Sequence, residues 1–216
     1  MPNDTLIFRD LGLCDYEDTY QAMQRFTLNR DTHTPDEIWL LEHPGIFTTG
    51  LSTDTLDLVN TGDIPVVAID RGGQVTYHGP GQLIAYVLID LPRHKLGVRE
   101  LVTKIEQTTI NLLMDYGVEA QRRDNAPGVY VANNKIASLG LRIKKGRSYH
   151  GLSININMDL QPFNRIVPCG LQGITMTQLS YFSPNIQLNA VKPQLIKHLI
   201  QQLGYNPQTV THRTNL

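Results

Sequence analysis

The sequence predicts an α+β fold, a mixed and largely antiparallel sheet with helices packed on it. Three observations carry that prediction. Short apolar runs bounded by turn residues recur between residues 37 and 157. Two pairs of these runs flank tight turns, at Asn133-Asn134 and at Lys145-Gly146, which reads as two hairpins. Helical spacing is confined to separate stretches, so strands and helices do not alternate as they would in a parallel α/β sheet.

The elements follow in order. Asp15 can cap a helix over 16–29, since its carboxylate can accept from first-turn N–H groups. Residues 37–41 form a short apolar strand ended by His43-Pro44-Gly45. Residues 66–69 and 83–91 read as strands, the second so continuously apolar that both its faces must be buried. Leu101, Ile105, Leu112 and Tyr116 share one face of a helix over 98–116 that stops at Gly117, a left-handed cap position. Residues 129–131 and 136–143 make the first hairpin, and the second continues through 149–157. Val191, Leu195, Leu199 and Leu203 step by four along a last helix that ends at Gly204.

At 216 residues with no repeat, linker or low-complexity tract, the expectation is one domain over 1–216. Such a chain can bury a core without a disulfide or metal staple. Cys14 and Cys169 are too few for a disulfide framework and lie in no metal-ligand spacing. Net charge of −1 argues against commitment to nucleic acid or an anionic membrane. The start lacks a basic stretch followed by an apolar core, so no signal peptide is expected. The longest apolar run, 83–89, falls far short of the roughly 20 residues of a membrane helix. These features point to a soluble protein of the reducing cytoplasm.

Residues 71–82 hold four glycines in twelve, with Arg71, Gln74, Tyr77 and His78 among them. Glycine lets backbone approach a ligand closely, but the spacing is neither of the two familiar phosphate-loop patterns. The plainer reading is a bulged strand followed by a proline turn. Cys169 stands in Pro168-Cys169-Gly170, a setting that presents a side chain rather than packing it. Cys14 precedes a helix with no basic neighbour and reads as structural. A nucleophilic thiol must fall from its usual pKa of about 8.5, beside a cation or a histidine. His78, His150 and Lys135 are the candidates, and spacing does not choose among them. Lys135, two residues past Asn133, reads by default as an exposed hairpin lysine. Between Arg122 and Arg147 lie seven basic residues and one acid, either a solvated hairpin face or a docking surface for an acidic partner.

Four motifs taken together resemble the octanoyl (lipoyl) transferase family, which is related to the lipoate and biotin protein ligases. They are residues 71–82, then Gly128-Val129-Tyr130-Val131 with Lys135-Ile136-Ala137-Ser138-Leu139-Gly140, then Tyr149-His150-Gly151-Leu152-Ser153-Ile154-Asn155, and Pro168-Cys169-Gly170. They occur in the family's order. Ser153 departs mildly from it, standing where a small apolar residue is expected. The resemblance implies a lipoate/biotin-ligase-like catalytic domain that moves octanoyl from acylated acyl carrier protein to a lysine of a lipoyl domain. The acceptors it implies are lipoyl domains of 2-oxoacid dehydrogenase complexes and the glycine cleavage H protein. It assigns the nucleophile to Cys169 and its pKa-lowering partner to Lys135. It assigns substrate binding to Arg71, Gly72, Gly73, Gln74, Val75, Thr76, Tyr77 and His78. It adds two further substrate-binding loops, one of Ser138, Leu139 and Gly140 and one of Gly151, Leu152 and Ser153. No cofactor and no metal are required, because a carrier-bound acyl group is already a thioester. The rivals are an ATP-dependent lipoate or biotin-type ligase, a cysteine hydrolase using His78 or His150, and a non-enzymatic lipid-binding module.

Overall fold

A computed structural model of the protein describes residues 5–54, 57–58, 60–167 and 174–215. The apolar runs assemble a seven-stranded sheet from β1 (Leu6–Leu13), β2 (Asp36–Glu42), β6 (Gln82–Leu88), β7 (Gly128–Val131), β8 (Asn134–Lys144), β9 (Arg147–Asn155) and β10 (Val210–Arg213). The strand order is β10-β1-β2-β6-β9-β8-β7. From β2 to β7 every pairing is antiparallel, while β1 runs parallel to both β2 and β10. A smaller sheet joins β4 (Val66–Ala68), β3 (Ile46–Thr49) and β5 (Thr76–His78), in that order. The α+β prediction holds.

Strand alternation decides which helix covers which face. Ile38 and Leu40 of β2, with Leu83 and Ala85 of β6, pack under Ile105 of α3 (Val98–Asp115) and Leu195 of α4 (Leu188–Leu203). Trp39, Leu41, Ile84 and Tyr86 turn to the other face, where α1 (Tyr16–Asn29) contributes Met23.

Local chemistry sets most of the boundaries. The Asp15 carboxylate accepts the Asp18 N–H, as its N-cap position predicts. Gly117 (φ 72°) and Gly204 (φ 82°) take the left-handed conformation that ends α3 and α4. Lys145 and Gly146 both have positive φ and close the β8–β9 hairpin. The first hairpin turns one residue earlier than expected, at Ala132-Asn133, with Ala132 at φ 49°.

Two expectations need correction, and two strands were not expected. The strand expected over 83–91 ends at Leu88, because Asp90 caps a short helix, α2 (Leu91–His94), whose second residue is Pro92. β1 and β10 carry no clear strand signal, and they pair parallel to one another across the length of the chain. Lys135 is not an exposed hairpin lysine. A register irregularity sets Val129 opposite Ala137 but Tyr130 opposite Lys135, and Lys135 is only 1 % exposed.

Candidate functional site

The glycine-rich segment runs over β8. The Gly72 N–H donates to the Leu141 carbonyl at 3.0 Å, and the Ser52 N–H donates to the Gly73 carbonyl at 3.1 Å. Arg71 is buried and its guanidinium secures the loop, donating to the Thr48 carbonyl (2.9 Å), the Thr48 hydroxyl (3.0 Å) and the Gly72 carbonyl (3.1 Å). The crossing needs a glycine at 140. A Cβ there would lie 3.0 Å from the Gly72 carbonyl oxygen and 3.1 Å from Arg71 Cδ.

Two cavities adjoin at this crossing and share Gly73, Gln74, Leu139 and Gly140. The first is a narrow slot of about 50 Å³. Arg71, Thr76 and His78 line it from the loop and β5, and Ser138, Gly151, Leu152 and Ser153 line it from β8 and β9. The second holds about 370 Å³ and takes Gly72 and Lys135 into its wall. Thus twelve of the fourteen residues expected to bind substrate line one cavity or the other. Val75 and Tyr77 do not. They alternate away from the cavities and pack with Phe47, Met158 and Phe163.

The slot has walls that motif reading does not find: Tyr16 at the start of α1, and Ile84 and Tyr86 on β6. A tyrosine inside an otherwise aliphatic strand was the available cue, but sequence does not say which face it takes. His150 also reaches the slot by an unusual route. Its backbone is left-handed (φ 58°), so its ring and that of Tyr149 stack 5.0 Å apart, and both bond to Asp70.

Burial controls the electrostatics here. It lowers His43 to about 4 and His78 to about 3, and it lowers His150 as well. Burial pushes Asp70 upward, but hydrogen bonds from His150, Tyr149 and Tyr20 outweigh it and hold the carboxyl below its ordinary range. His43 lies between the Cys14 carbonyl and the Tyr86 hydroxyl, each at 2.7 Å. Gln82 donates its amide N–H to the Tyr77 carbonyl and to Asn155 Oδ1, so its oxygen accepts from His78 Nδ1 at 2.7 Å. That network assigns the proton to Nδ1 and leaves Nε2 a neutral acceptor. Asn155 then donates to the Thr177 carbonyl at 2.9 Å.

A stability prediction follows. Unfolded histidines take up protons near pH 6.5, while folded His43 and His78 refuse them until about 4 and about 3. The unfolded state therefore binds more protons in that window, so stability is greatest above it and falls as pH drops. Each histidine contributes a slope of at most about 1.4 kcal/mol per pH unit. Denaturant melts near pH 7 and about pH 5 should show the loss, and His43→Gln should flatten it. Equal stability at the two pH values would refute the reading.

Lys135 is held along one edge of its strand by the segment 175–177. Its N–H donates to the Thr175 carbonyl and its carbonyl accepts from the Thr177 N–H, both at 2.9 Å. Its ammonium lies 5.6 Å from the centre of the Tyr130 ring. Cys169, with Pro168 and Gly170, lies outside the described residues. Cys14 is partly buried, its thiol 3.2 Å from the Leu11 carbonyl, and burial raises its pKa, the opposite of activation.

The basic stretch 122–147 is not one solvated face. Arg122 pairs with Glu106, Arg142 with Asp70 and Arg147 with Asp90, while Lys135 is buried. Exposed Lys144 and Lys145 remain at the hairpin tip. Among the described residues, no helix is long and apolar enough to cross a membrane.

The lipoyl protein ligase A/B catalytic domain matches residues 15–200. An octanoyltransferase of Pseudomonas putida is 56% identical over 202 residues, covering 94% of both chains. One from Photorhabdus laumondii is 54% identical over 205 residues, covering 95% of this chain and 96% of its own. A bipartite lipoate protein ligase of Thermoplasma acidophilum has the same fold, with a TM-score of 0.73 at 14% identity over 97% of this chain and 87% of that one. The chain belongs to the lipoyl protein ligase A/B catalytic domain family, within its octanoyltransferases, and is an acyltransferase.

Proposed function

We propose that the enzyme takes an octanoyl or lipoyl group from acylated acyl carrier protein, carries it as a thioester on Cys169, and delivers it to a lysine of a lipoyl domain. The acceptors are the lipoyl domains of 2-oxoacid dehydrogenase complexes and the glycine cleavage H protein, and the setting is the cytoplasm. One observation carries this reading. Lys135, a residue with every reason to be solvated, is buried in a cavity wall and tied by its backbone to Thr175 and Thr177, six and eight residues after Cys169.

The chemistry balances without ATP or metal. The Cys169 thiolate, held as such by the Lys135 ammonium, attacks the carrier's thioester carbonyl. The carrier thiol leaves with a proton from Lys135. The acceptor amine then attacks the Cys169 thioester and releases a proton to Lys135, and the thiolate is restored beside the ammonium. Splitting one transfer into two thioester steps is the benefit of covalent catalysis. The two adjoining cavities together suit the acyl chain, the larger giving it room and the narrow slot between Ile84, Tyr86 and Leu152 taking its end, and its burial contributes about 0.8 kcal/mol per CH₂.

Intact-mass spectrometry after mixing with octanoyl-loaded carrier protein tests the reading. An octanoyl adduct should appear on Cys169, be released by hydroxylamine, and vanish in Cys169→Ala. An adduct on Cys14, or full transfer by Cys169→Ala, would sink the mechanism. Transfer that requires ATP and Mg²⁺ would favour the ligase route instead.

A further inference from the structure

The corner that holds Lys135 contains two residues to which the chemistry above gives no role. Glu106 interrupts the apolar face of α3 between Ile105 and Leu112 and is 6 % exposed. A carboxylate in such a place is costly unless it is paired. Glu106 Oε1 accepts the backbone N–H of Gly128 at 3.0 Å, and its other oxygen faces Arg122 at 3.4 Å. Gly128 has φ 140°, a conformation that favours glycine. A Cβ on it would lie 2.6 Å from Lys135 Cε, 3.2 Å from Nζ and 2.6 Å from the Ala137 carbonyl oxygen. The bare Cα of Gly128 is therefore one wall of the slot that receives the lysine's end. The Tyr130 ring stands near it, with the Arg123 guanidinium 4.4 Å from the ring centre.

We propose that Glu106 and Gly128 are positioning residues for Lys135: the carboxylate pins the Gly128 N–H, and the glycine leaves the space that aims the ammonium. The inference rests on the Cys169–Lys135 pairing proposed above. Neither residue touches substrate. Both act by keeping the ammonium where it can favour a thiolate and exchange protons.

The test is the pH profile of Cys169 alkylation by iodoacetamide, in a Cys14→Ser background so that one thiol reports. Full-length Lys135→Ala, Gly128→Ala, Glu106→Ala and Glu106→Gln are compared, each with a far-UV spectrum and a melt. Gly128→Ala and Glu106→Ala should move the profile upward in the same direction as Lys135→Ala. Octanoyl transfer should fall by about tenfold or more in both, within the range attributable to a displaced proton-transfer group. Glu106→Gln keeps an oxygen that accepts the Gly128 N–H, and it should restore the parental profile. A loss of stability alone would move the melts but not the alkylation pH.

If Lys135→Ala shifts the profile while the folded Gly128→Ala and Glu106→Ala variants keep the parental one, the positioning role is wrong. If Gly128→Ala does not fold, Glu106→Ala and its glutamine rescue decide the matter. If Lys135→Ala itself leaves the profile unmoved, the Cys169–Lys135 pairing fails, and this inference falls with it for that separate reason.

Discussion

Replacing Lys135 with alanine is expected to raise the pH at which iodoacetamide alkylates Cys169 and to slow octanoyl transfer by about a hundredfold or more, the scale of a lost general acid–base. Each unit of thiol pKa corresponds to about 1.4 kcal/mol of preference for the thiolate. Folding should survive, because deleting a buried ammonium also deletes its desolvation cost. Lys135→Arg keeps the charge but does not readily give up a proton. Its larger head also meets the wall formed by Gly128, whose Cα lies against the end of Lys135. The arginine variant should therefore keep part of the thiolate yet fail to relay protons to and from the amine. His78→Ala should disturb substrate binding instead, since the neutral imidazole is committed through Nδ1 to Gln82 and lines the slot. If only His78→Ala moves the alkylation profile, the dyad is Cys–His and the assignment of Lys135 is wrong.

Asp36→Ala is expected to cost about 3–5 kcal/mol of stability, the usual result of removing one partner from a buried ionic cluster. Asp36 is fully buried. It accepts from Arg30, from His94 Nε2 at 2.6 Å, from the Tyr205 hydroxyl at 2.7 Å and from the Asp90 N–H at 2.9 Å. It thereby ties the end of α1, the start of β2, α2 and the segment after α4. Burial pushes its carboxyl upward, but the His94 bond, the Arg30 charge and the Tyr205 and Asp90 bonds outweigh it and hold the pKa below the ordinary value. The stabilisation is thus present above the unfolded-state pKa of about 3.9 and lost as pH falls through the folded one. In a chain of this size the cost should lower the melting temperature by roughly 10 °C. Transfer per folded molecule should not change. Asp36 belongs to the end of the sheet where Arg147 begins β9, and Lys135 lies at the other end of β8, about 30 Å away at ~3.3 Å per residue. A cost below about 1 kcal/mol would mean that the cluster barely offsets its own desolvation.

Much of this protein was legible in the residues themselves because the signals are local. A carboxylate at 15, glycines at 117 and 204, and the Lys145-Gly146 pair each determine the backbone within a turn of where they stand. Four ordered motifs, with Cys169 and Lys135 among them, carry the family resemblance in the sequence alone. Long-range pairing was not legible. β1 finds β10 about 200 residues later, and nothing in Leu6–Leu13 encodes that partner. The orientation of Lys135 was likewise decided by tertiary structure. A register irregularity beside Tyr130, the strand-like segment at 175–177 and the missing side chain of Gly128, whose place the lysine's end takes, together bury a side chain whose sequence context reads as a solvated turn. Sequence determined which groups are available. Only the packed sheet, by choosing faces and excluding water, decided which of them stand together and in what state of charge.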